Sequence, residues 1–303
     1  MAEEKTLHLV GTHVTHSIAH RMHNYIAKSL SLPWTFYNTT CPALADVLSL
    51  LHSPTTAGLV VTMPYKNAVM SHVDEMDELA TIIGAINCIY YKDGPTRRSV
   101  GSNTDWNGII GSLLERDAGR PRPSAVAPGS AVVVGAGGAA RAAIYTLAVH
   151  MHCPTVYILN RDEGEVENLI ADSKKIAGNP RVIHIETVEE AKKAEDAYYI
   201  LGTVPDIEPE TPAEKEVVAM LDVFLAKDKG VLCDLCFKPR ITRMMKAGER
   251  SGWECVEGIH VIGHQVVEQW RLWVGSERLA VLDREAAWGA LMKAADESDE
   301  INF

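Results

Sequence analysis

The sequence predicts an α/β protein made of two successive series of strands and helices. Short apolar segments alternate with amphipathic ones over residues 6–117, and a second series begins abruptly at Ala131. Such alternation is typical of βαβ units, which assemble a mainly parallel sheet. Between the two series, residues 118–130 are rich in Pro, Gly and Ser, which indicates a loop or linker beside a domain boundary.

The periodicity of the apolar residues assigns each element in turn. In the first series, strands are predicted at 6–11, 34–38, 57–61, 87–91 and 97–101, and helices at 21–30, 43–51 and 104–117. In the second series, strands are predicted at 132–134, 155–160, 181–186, 197–203 and 230–235. The first of these leads directly into a helix. The chain closes with helices at 261–275 and 284–296, followed by a polar tail.

Composition excludes several classes of function. The chain has 303 residues, of which 47% are hydrophobic, and a net charge of −11. An acidic surface of this kind does not favour nucleic acid or an anionic membrane. No segment approaches the ~20 apolar residues of a membrane span, and the acidic start MAEEK is unlike a targeting segment. We therefore expect a cytoplasmic protein that acts on a small molecule, as a monomer or a homodimer.

The cysteines and histidines predict no metal or disulfide chemistry. Six scattered cysteines are expected to be reduced thiols. Cys233 and Cys236 form a C-x-x-C pair without a second ligand pair or a helix N-terminus, so we interpret both as buried small residues at a strand end. The four histidines between positions 13 and 23 lack carboxylate or cysteine support. No metal site is predicted.

A glycine-rich turn predicts a dinucleotide site. The sequence GAGGAA follows the strand at 132–134 and opens a helix, which is the context of the Rossmann fingerprint. In that fingerprint the first glycine makes the tight turn, and the second lets the backbone approach a pyrophosphate at the helix N-terminus. The predicted cofactor-binding residues here are Gly135, Ala136, Gly137, Gly138 and Ala139. The alternative is a glycine-rich turn that holds no ligand.

The end of the next strand predicts which nicotinamide cofactor is used. Asn160, Arg161 and Asp162 stand where the adenosine ribose is contacted in this fold. Arg161 suits the 2′-phosphate of NADP. The carboxylates of Asp162 and Glu163 repel a phosphate and suit the 2′-hydroxyl of NAD. The acidic residues favour NAD, and NADP stays the alternative.

Lys66 is a charged residue placed just after a buried strand. A nicotinamide enzyme that oxidises an alcohol needs a group to take the hydroxyl proton as hydride leaves. A partly desolvated lysine beside a carboxylate is able to do so. Asp105, at the start of the helix at 104–117, is the candidate carboxylate. The alternative is that Asp105 only caps that helix together with Asn103 or Thr104, and spacing alone does not decide between the two.

Six segments carry a resemblance to a known family. They are VTMPYK, GAINC, GSNTDWNG, GAGGAARA, ILNRD and GIHVIGHQVVEQWRLWVG, and they occur in the order found in the shikimate/quinate dehydrogenase family. The resemblance covers roughly residues 7–276 and is strongest to the stand-alone quinate/shikimate-type dehydrogenases of fungi. It implies an N-terminal α/β substrate domain, a Rossmann-type dinucleotide-binding domain and C-terminal helices that return to the first domain. The expected bounds are 1–106 with 258–303 for the substrate-binding catalytic domain and 107–257 for the Rossmann domain.

The resemblance also implies the roles of single residues. Lys66 falls on the family's catalytic lysine and Asp105 on its partner. Four residues fall among or beside the family's substrate ligands, in a cleft that also holds the cofactor: Ser17, Asn87, Gln265 and Thr62. The implied reaction transfers a hydride between a ring hydroxyl of quinate or shikimate and the cofactor, with quinate and NAD as the first expectation.

Three residues depart from the family pattern near the expected pocket for the substrate carboxylate. By the resemblance, Ala19 replaces a serine or threonine, His20 a proline and Phe237 a tyrosine. Two hydroxyl donors are thereby lost, and each hydrogen bond to a charged group is worth about 1.5–3 kcal/mol. A protonated His20 would compensate. These departures keep two rival hypotheses open: the same chemistry on a different cyclic or hydroxy substrate, and a regulatory protein that binds a ligand without turning it over.

Overall fold

The computed structural model of the protein describes residues 3–92, 96–117 and 129–303. Most of the predicted linker, residues 118–128, lies outside the described residues. The chain divides into two compact units, one comprising Met1–Asp105 and Ile262–Ile301, the other Trp106–Val261 and Asn302–Phe303. The helices at the end of the chain thus rejoin the first unit. The finer functional division at 106/107 and 257/258 stays a proposal.

The first unit contains six strands and most of the short helices of the described residues. Its strands are β1 (Lys5–Gly11), β2 (Trp34–Thr40), β3 (Thr56–Val61), β4 (Glu75–Met76), β5 (Cys88–Lys92) and β6 (Arg98–Ser102). Its N-terminal helices are α1 (Ala19–Ser29), α2 (Leu44–Leu51), α3 (Tyr65–Ala68) with a 3₁₀ turn at Val69–His72, and α4 (Glu78–Ile83). Helix α5 (Asp105–Asp117) begins at the last residue before the second unit.

The sheet of the first unit is mixed, in the order β2-β1-β3-β5-β6-β4. β1 lies parallel to β2 and β3, whereas β5 runs antiparallel to both β3 and β6. The end of β3, the start of β5 and the end of β6 therefore meet at one edge. Backbone hydrogen bonds fix this meeting, from Val61 N–H to Asn87 O (2.7 Å) and from Asn87 N–H to Ser102 O (3.1 Å). Three distant sequence segments are brought together there.

The second unit alternates strands and helices regularly. Its elements are β7 (Ser130–Val134), α6 (Gly138–Tyr145) continued by a π-helical turn at Thr146–His150, β8 (Thr155–Leu159), α7 (Glu163–Ser173), β9 (Arg181–His184), α8 (Val188–Lys193), β10 (Ala197–Gly202), α9 (Pro212–Ala226), β11 (Val231–Asp234), α10 (Arg243–Arg250) and β12 (Glu254–Val256). Three helices close the chain: α11 (Gly258–Val274), α12 (Ser276–Leu279) and α13 (Arg284–Glu297).

The second sheet is parallel throughout its described strand pairs, in the order β12-β11-β10-β7-β8-β9. Numbered from β7, this is the order 3-2-1-4-5-6 of a Rossmann fold, with the switch point between β7 and β10. Every residue of β7 and β8 is buried, as expected for strands covered on both faces. Phe224 of α9 packs in the same core as Leu232 and Ile200. The predicted α/β fold class, with a Rossmann-type unit, is confirmed.

Most of the predicted elements are found within two residues of their expected ends. The pair at 87–91 and 97–101 forms the antiparallel β5 and β6, and the C-terminal helices are α11 and α13. The strand at 230–235 is shorter, Val231–Asp234. The two-residue β4 and the three-residue β12 were not predicted, because segments so short carry no periodicity.

The edge strand β2 is protected by a side chain. Asn24, on α1, donates from Nδ2 to Phe36 O (3.1 Å) and accepts from Phe36 N–H at Oδ1 (2.8 Å). The amide thus makes the two hydrogen bonds that a further strand would make at Phe36. It also ties α1 to the sheet.

A buried histidine joins α1 to α11. His23 is almost fully buried and stacks on Phe36, with ring centroids 3.8 Å apart. Its Nδ1 accepts a hydrogen bond from Nε1 of Trp270 at 3.1 Å, so this nitrogen carries no proton. Burial, and secondarily the neighbouring His20, lowers the pKa of His23 from 6.5 to about 3.

We expect His23 to make the protein acid-sensitive. The unfolded chain takes up a proton at His23 below about pH 6.5 but the folded chain only near pH 3, so the free energy of unfolding falls as the pH falls through this window. The loss from pH 7 to pH 5 is about 2 kcal/mol from this residue alone. His23→Gln keeps an acceptor for Trp270 and removes the titration. Urea unfolding at both pH values should show a smaller acid loss in the variant; equal losses would contradict the assignment.

Candidate active site

Lys66 lies one residue into α3, just beyond the end of β3. The turn before it is held by Thr62 N–H, which donates to Val10 O at 3.0 Å, and by the buried Tyr65, whose hydroxyl donates to Cys41 O at 2.8 Å. The Lys66 ammonium donates a hydrogen bond to Oδ2 of Asp105. The two side chains are only 16% and 7% exposed. The charge of Lys66 is therefore met by a buried carboxylate.

Asp105 does not cap its own helix. Its backbone N–H donates to Oδ1 of Asn103 (3.0 Å), whose Nδ2 is in turn anchored on Ala85 O (2.9 Å). Asn103 therefore provides the cap, and the carboxylate of Asp105 is left for Lys66 and for Asn87, which donates from Nδ2 to Oδ1 at 2.7 Å. The sequence spacing left open whether Asp105 caps the helix or pairs with Lys66, and in the structure it pairs with Lys66.

Asn87 uses its full hydrogen-bonding capacity inside the protein. Its Oδ1 accepts from the backbone N–H of Thr104 (2.6 Å) and from the Thr104 hydroxyl (3.1 Å). Its Nδ2 donates to Asp105 and also to Oε1 of Gln265 (3.1 Å). A substrate hydroxyl that binds Asn87 must therefore displace one of these contacts, and the bond to Gln265 is the longer of the two that Nδ2 makes. Lys66, Asp105, Asn87 and Gln265 form one hydrogen-bonded cluster.

Two further residues, which extend this cluster through hydrogen bonds, were not predicted from the sequence. Thr104 and Gln269 are buried, and Nε2 of Gln269 donates to the Thr104 hydroxyl at 3.2 Å. A signal for Gln269 was present, because it lies four residues after Gln265 on a helix and hence on the same face. Thr104 was considered only as a cap.

Ser17 and Thr62 lie in the loops that follow the neighbouring strands β1 and β3. Ser17 is buried; its Oγ accepts from Ala19 N–H at 3.4 Å, and its carbonyl accepts from Nδ2 of Asn38 at 2.6 Å. The same carbonyl lies 3.0 Å from Nδ1 of His20. Both substrate-binding roles stay predictions.

Phe237 belongs to the second unit, in the segment after β11. This segment is anchored by Asp234, whose carboxylate accepts from the Thr242 hydroxyl (2.7 Å) and from Cys236 N–H (3.1 Å). Burial raises the pKa of Asp234 to about 6, against the effect of these two donors. Burial likewise raises the pKa of the thiols of Cys233 and Cys236. Raised thiol pKa values are those of unreactive cysteines. Cys233 is buried in β11, as interpreted from the sequence, whereas Cys236 lies beyond the end of the strand and is only half-buried.

The glycine turn after β7 is tight at its first glycine and open at its second. Gly135 has φ +114°, and a Cβ there would lie 2.5 Å from Oγ1 of Thr203, so any other residue would be strained. At Gly137 a Cβ would meet nothing within 4 Å, which means that the backbone faces open space. No side chain caps the N-terminus of α6. A helix start that its N-cap residue leaves uncapped, beside open space, has features typical of an anion site.

The end of β8 is surrounded by carboxylates. Arg161 donates to Oε1 of Glu214 in an ion pair on the surface. Asp162 caps α7 by accepting from Glu165 N–H at 2.9 Å, and Asn160 donates to the carboxylate of Glu165 at 3.2 Å. The guanidinium at this position is thus already paired with an anion of the protein.

No group of three or more metal-ligating side chains occurs among residues 3–92, 96–117 and 129–303. Within the same residues, no helix combines the length and apolar character needed to cross a bilayer.

Comparison with known proteins identifies the family. A family model of the shikimate dehydrogenase substrate binding domain matches residues 9–89. The quinate dehydrogenase of Emericella nidulans is 32% identical over 292 residues, covering 89% of this chain and 88% of that protein. The chain belongs to the shikimate/quinate dehydrogenase family. It is therefore an oxidoreductase.

Solved structures of this family share the fold. The quinate dehydrogenase from Corynebacterium glutamicum in complex with NAD has a TM-score of 0.73 at 21% identity, covering 96% of this chain and 100% of that chain. The shikimate 5-dehydrogenase from Thermus thermophilus in complex with NADP(H) and shikimate has a TM-score of 0.70 at 23% identity, with coverages of 96% and 99%. The first of these structures holds NAD and the second NADP(H).

The two glycines of the turn give a stability prediction. Gly135→Ala should lower the free energy of unfolding by about 2 kcal/mol or more, because its φ is unfavourable for alanine and the new methyl group meets Thr203. Gly137→Ala should change it by less than about 0.5 kcal/mol, since the backbone there is extended and the space is open. Chemical denaturation of both variants measures the difference. Equal losses would contradict the described turn.

Proposed function

We propose that the protein oxidises a ring hydroxyl of quinate, or of shikimate as second choice, with NAD as its cofactor. The products are 3-dehydroquinate and 3-dehydroshikimate. The observation that carries the proposal is the buried pair of Lys66 and Asp105 within the Asn87 and Gln265 cluster of a chain that belongs to this dehydrogenase family. Ser17 and Thr62 are proposed as further substrate ligands.

Lys66 acts as the general base of the proposed reaction. In its neutral form Nζ takes the proton of the reacting hydroxyl, the C–O bond becomes a carbonyl, and the hydrogen on the same carbon leaves with its electron pair. A bound nicotinamide supplies the acceptor for that hydride. Asp105 orients Nζ through its hydrogen bond and balances the ammonium charge that forms, which is a stronger effect in a buried site than in water.

Gln265 is suited to receive an oxygen of the substrate ring. Its Oε1 accepts from Asn87, so its Nε2 is the atom that a hydroxyl oxygen can meet. When a substrate hydroxyl takes the place of Gln265 at Asn87, both amides can contact the same hydroxyl. This exchange costs little, because one hydrogen bond is replaced by others of the same kind.

The glycine turn and the end of β8 support a nicotinamide cofactor and favour NAD. Gly135, Ala136, Gly137, Gly138 and Ala139 would hold the pyrophosphate, and Gly137 offers it open space. Asn160, Arg161 and Asp162 would face the adenosine ribose. A 2′-phosphate there would have to separate Arg161 from Glu214 and would meet the acidic first turn of α7, which disfavours NADP.

Lys66→Ala should lower kcat for quinate oxidation by about 10²- to 10⁴-fold, the contribution typical of a positioned general base. Lys92→Ala is the matched control, because Lys92 belongs to the same unit but is exposed and pairs only with Glu75 among the described residues. Steady-state kinetics measures both variants, and circular dichroism checks that each is folded. Retention of turnover by Lys66→Ala would sink the proposed mechanism.

Glu214→Gln should raise the ratio of kcat/KM for NADP over NAD by about tenfold, equivalent to ~1.4 kcal/mol. The change frees Arg161 for a 2′-phosphate, while the glutamine keeps the acceptor that caps α9 at Thr211 N–H. Glu216→Gln is the matched control, because it removes the same charge from the same helix and Glu216 contacts Val188 instead. An equal ratio in both variants would mean that the ion pair does not select the cofactor.

The deciding experiment is steady-state reduction of NAD and NADP, in parallel, with quinate and with shikimate. Quinate with NAD as the best combination supports the proposal. A best activity on a cyclitol or hydroxy acid without a carboxylate would favour the altered-substrate hypothesis raised by Ala19, His20 and Phe237. Tight binding of quinate without turnover would favour the regulatory one.

A further inference from the structure

We propose that Gln269 is a positioning residue of the active site, acting through Thr104 on Asn87. The inference builds on the proposed function of the cluster and adds a residue with no described hydrogen bond to Lys66 or Asp105. Gln269 lies on α11 one turn after Gln265 and is 1% exposed. Its one described side-chain hydrogen bond runs from Nε2 to the Thr104 hydroxyl at 3.2 Å.

This bond sets the direction of a chain of donors. The Thr104 hydroxyl has a single proton. Because Gln269 donates to its oxygen, that proton is directed at Oδ1 of Asn87, 3.1 Å away. With its oxygen filled by two donors, Asn87 must present Nδ2 to Asp105 and Gln265. The chain therefore runs from Gln269 through Thr104 and Asn87 to the carboxylate that holds Lys66, and bonds in such a chain polarise one another.

The reversed arrangement makes fewer hydrogen bonds. If the Gln269 amide were flipped, Thr104 would donate to Oε1 of Gln269 and no longer to Asn87. One hydrogen bond would be lost, and two N–H groups of Gln269 would be buried without an acceptor. A flip of Asn87 would set its oxygen against the carboxylate of Asp105 and Oε1 of Gln265. The described direction is therefore the favoured one.

The stability of the fold does not explain a glutamine at this position. Oε1 of Gln269 is buried and has no hydrogen-bond partner in the described residues. An unsatisfied buried acceptor destabilises a protein, and an apolar side chain of similar size would suit the same helix face, which carries the buried Val266 and Trp270. What Gln269 contributes is its donor to Thr104, and through it the orientation of the Asn87 amide.

Gln269→Met tests this role, because methionine has nearly the same shape and no hydrogen-bonding amide. We expect kcat for the proposed substrate to fall about 5- to 20-fold with little change in KM for NAD, while the midpoint of urea unfolding is unchanged or higher. A merely structural residue would lower stability and leave kcat alone, which would overturn the proposal.

A double-mutant cycle with Thr104 isolates the pathway. Thr104→Val removes the hydroxyl and should lower kcat as Gln269→Met does. The kcat of the double variant should lie within about twofold of the kcat of Thr104→Val. Thr104→Ser keeps the hydroxyl and should retain more turnover than Thr104→Val. Multiplicative losses in the double variant would show that Gln269 does not act through Thr104.

Neutron crystallography of the deuterated wild-type protein supplies a test that needs no activity. The deuteron on Oγ1 of Thr104 should point at Asn87. A deuteron that points at Gln269 would overturn the inference even if quinate is turned over. Conversely, wild-type protein that is inactive on quinate and shikimate but has the predicted deuteron would reject the proposed function and leave the positioning role standing.

Discussion

The burial of the Lys66–Asp105 pair is the constraint on which the rest of the site depends. Two opposite charges removed from water repay their desolvation only when their remaining polar atoms are also satisfied. Asn87 meets the second carboxylate oxygen, and Thr104 then meets the oxygen of Asn87. Each of these residues is buried, so its own polar atoms need hydrogen-bond partners in turn. The hydrogen bonds therefore continue from the ion pair through Asn87 and Thr104 to Gln269 on α11. A polar network this large has to be held by a rigid frame.

The mixed sheet of the first unit is that frame. A purely parallel sheet would place the start of β5 at the opposite edge from the end of β3. Because β5 runs antiparallel, Asn87 precedes it at the same edge where Lys66 follows β3 and Asp105 follows β6. The reversal of this single strand thus places Asn87 within hydrogen-bonding distance of Asp105. The second unit, whose described strands are all parallel, carries the glycine turn at the switch point that this fold provides.

Much of this could be predicted from the sequence, because the signals are local. Strand and helix positions follow from apolar periodicity, and the glycine turn is recognisable from the strand before it and the helix after it. Lys66 stood out as a charge at the end of an apolar run. Its pairing with Asp105 could not be separated from helix capping, since both need a carboxylate at a helix start. In the structure, the side chain of Asn103 caps the helix, so the Asp105 carboxylate is available to Lys66. The hydrogen bond from Asn103 to Ala85 O that holds this cap is not visible from sequence spacing.

Gln269 and Thr104 escaped prediction for a related reason. A glutamine on an apolar helix face is visible in sequence, but whether its amide meets a partner depends on a contact across 165 positions. The direction of a hydrogen bond is even harder to predict from sequence, because it follows from the complete set of donors and acceptors around it. Site residues that act through others are therefore the last to be found from sequence, even where the family is known.

The Asn24 side chain has a consequence beyond the packing of α1. An exposed edge strand is a template on which another chain can add a strand, and sheet proteins block such edges in various ways. By occupying both backbone groups of Phe36, Asn24 closes β2 to strand addition at its middle. The opposite edge is β4, which is only two residues long. The sheet that carries the Lys66–Asp105 pair is thereby guarded against cross-chain β-pairing, and hence against one common route to aggregation, at both of its sides.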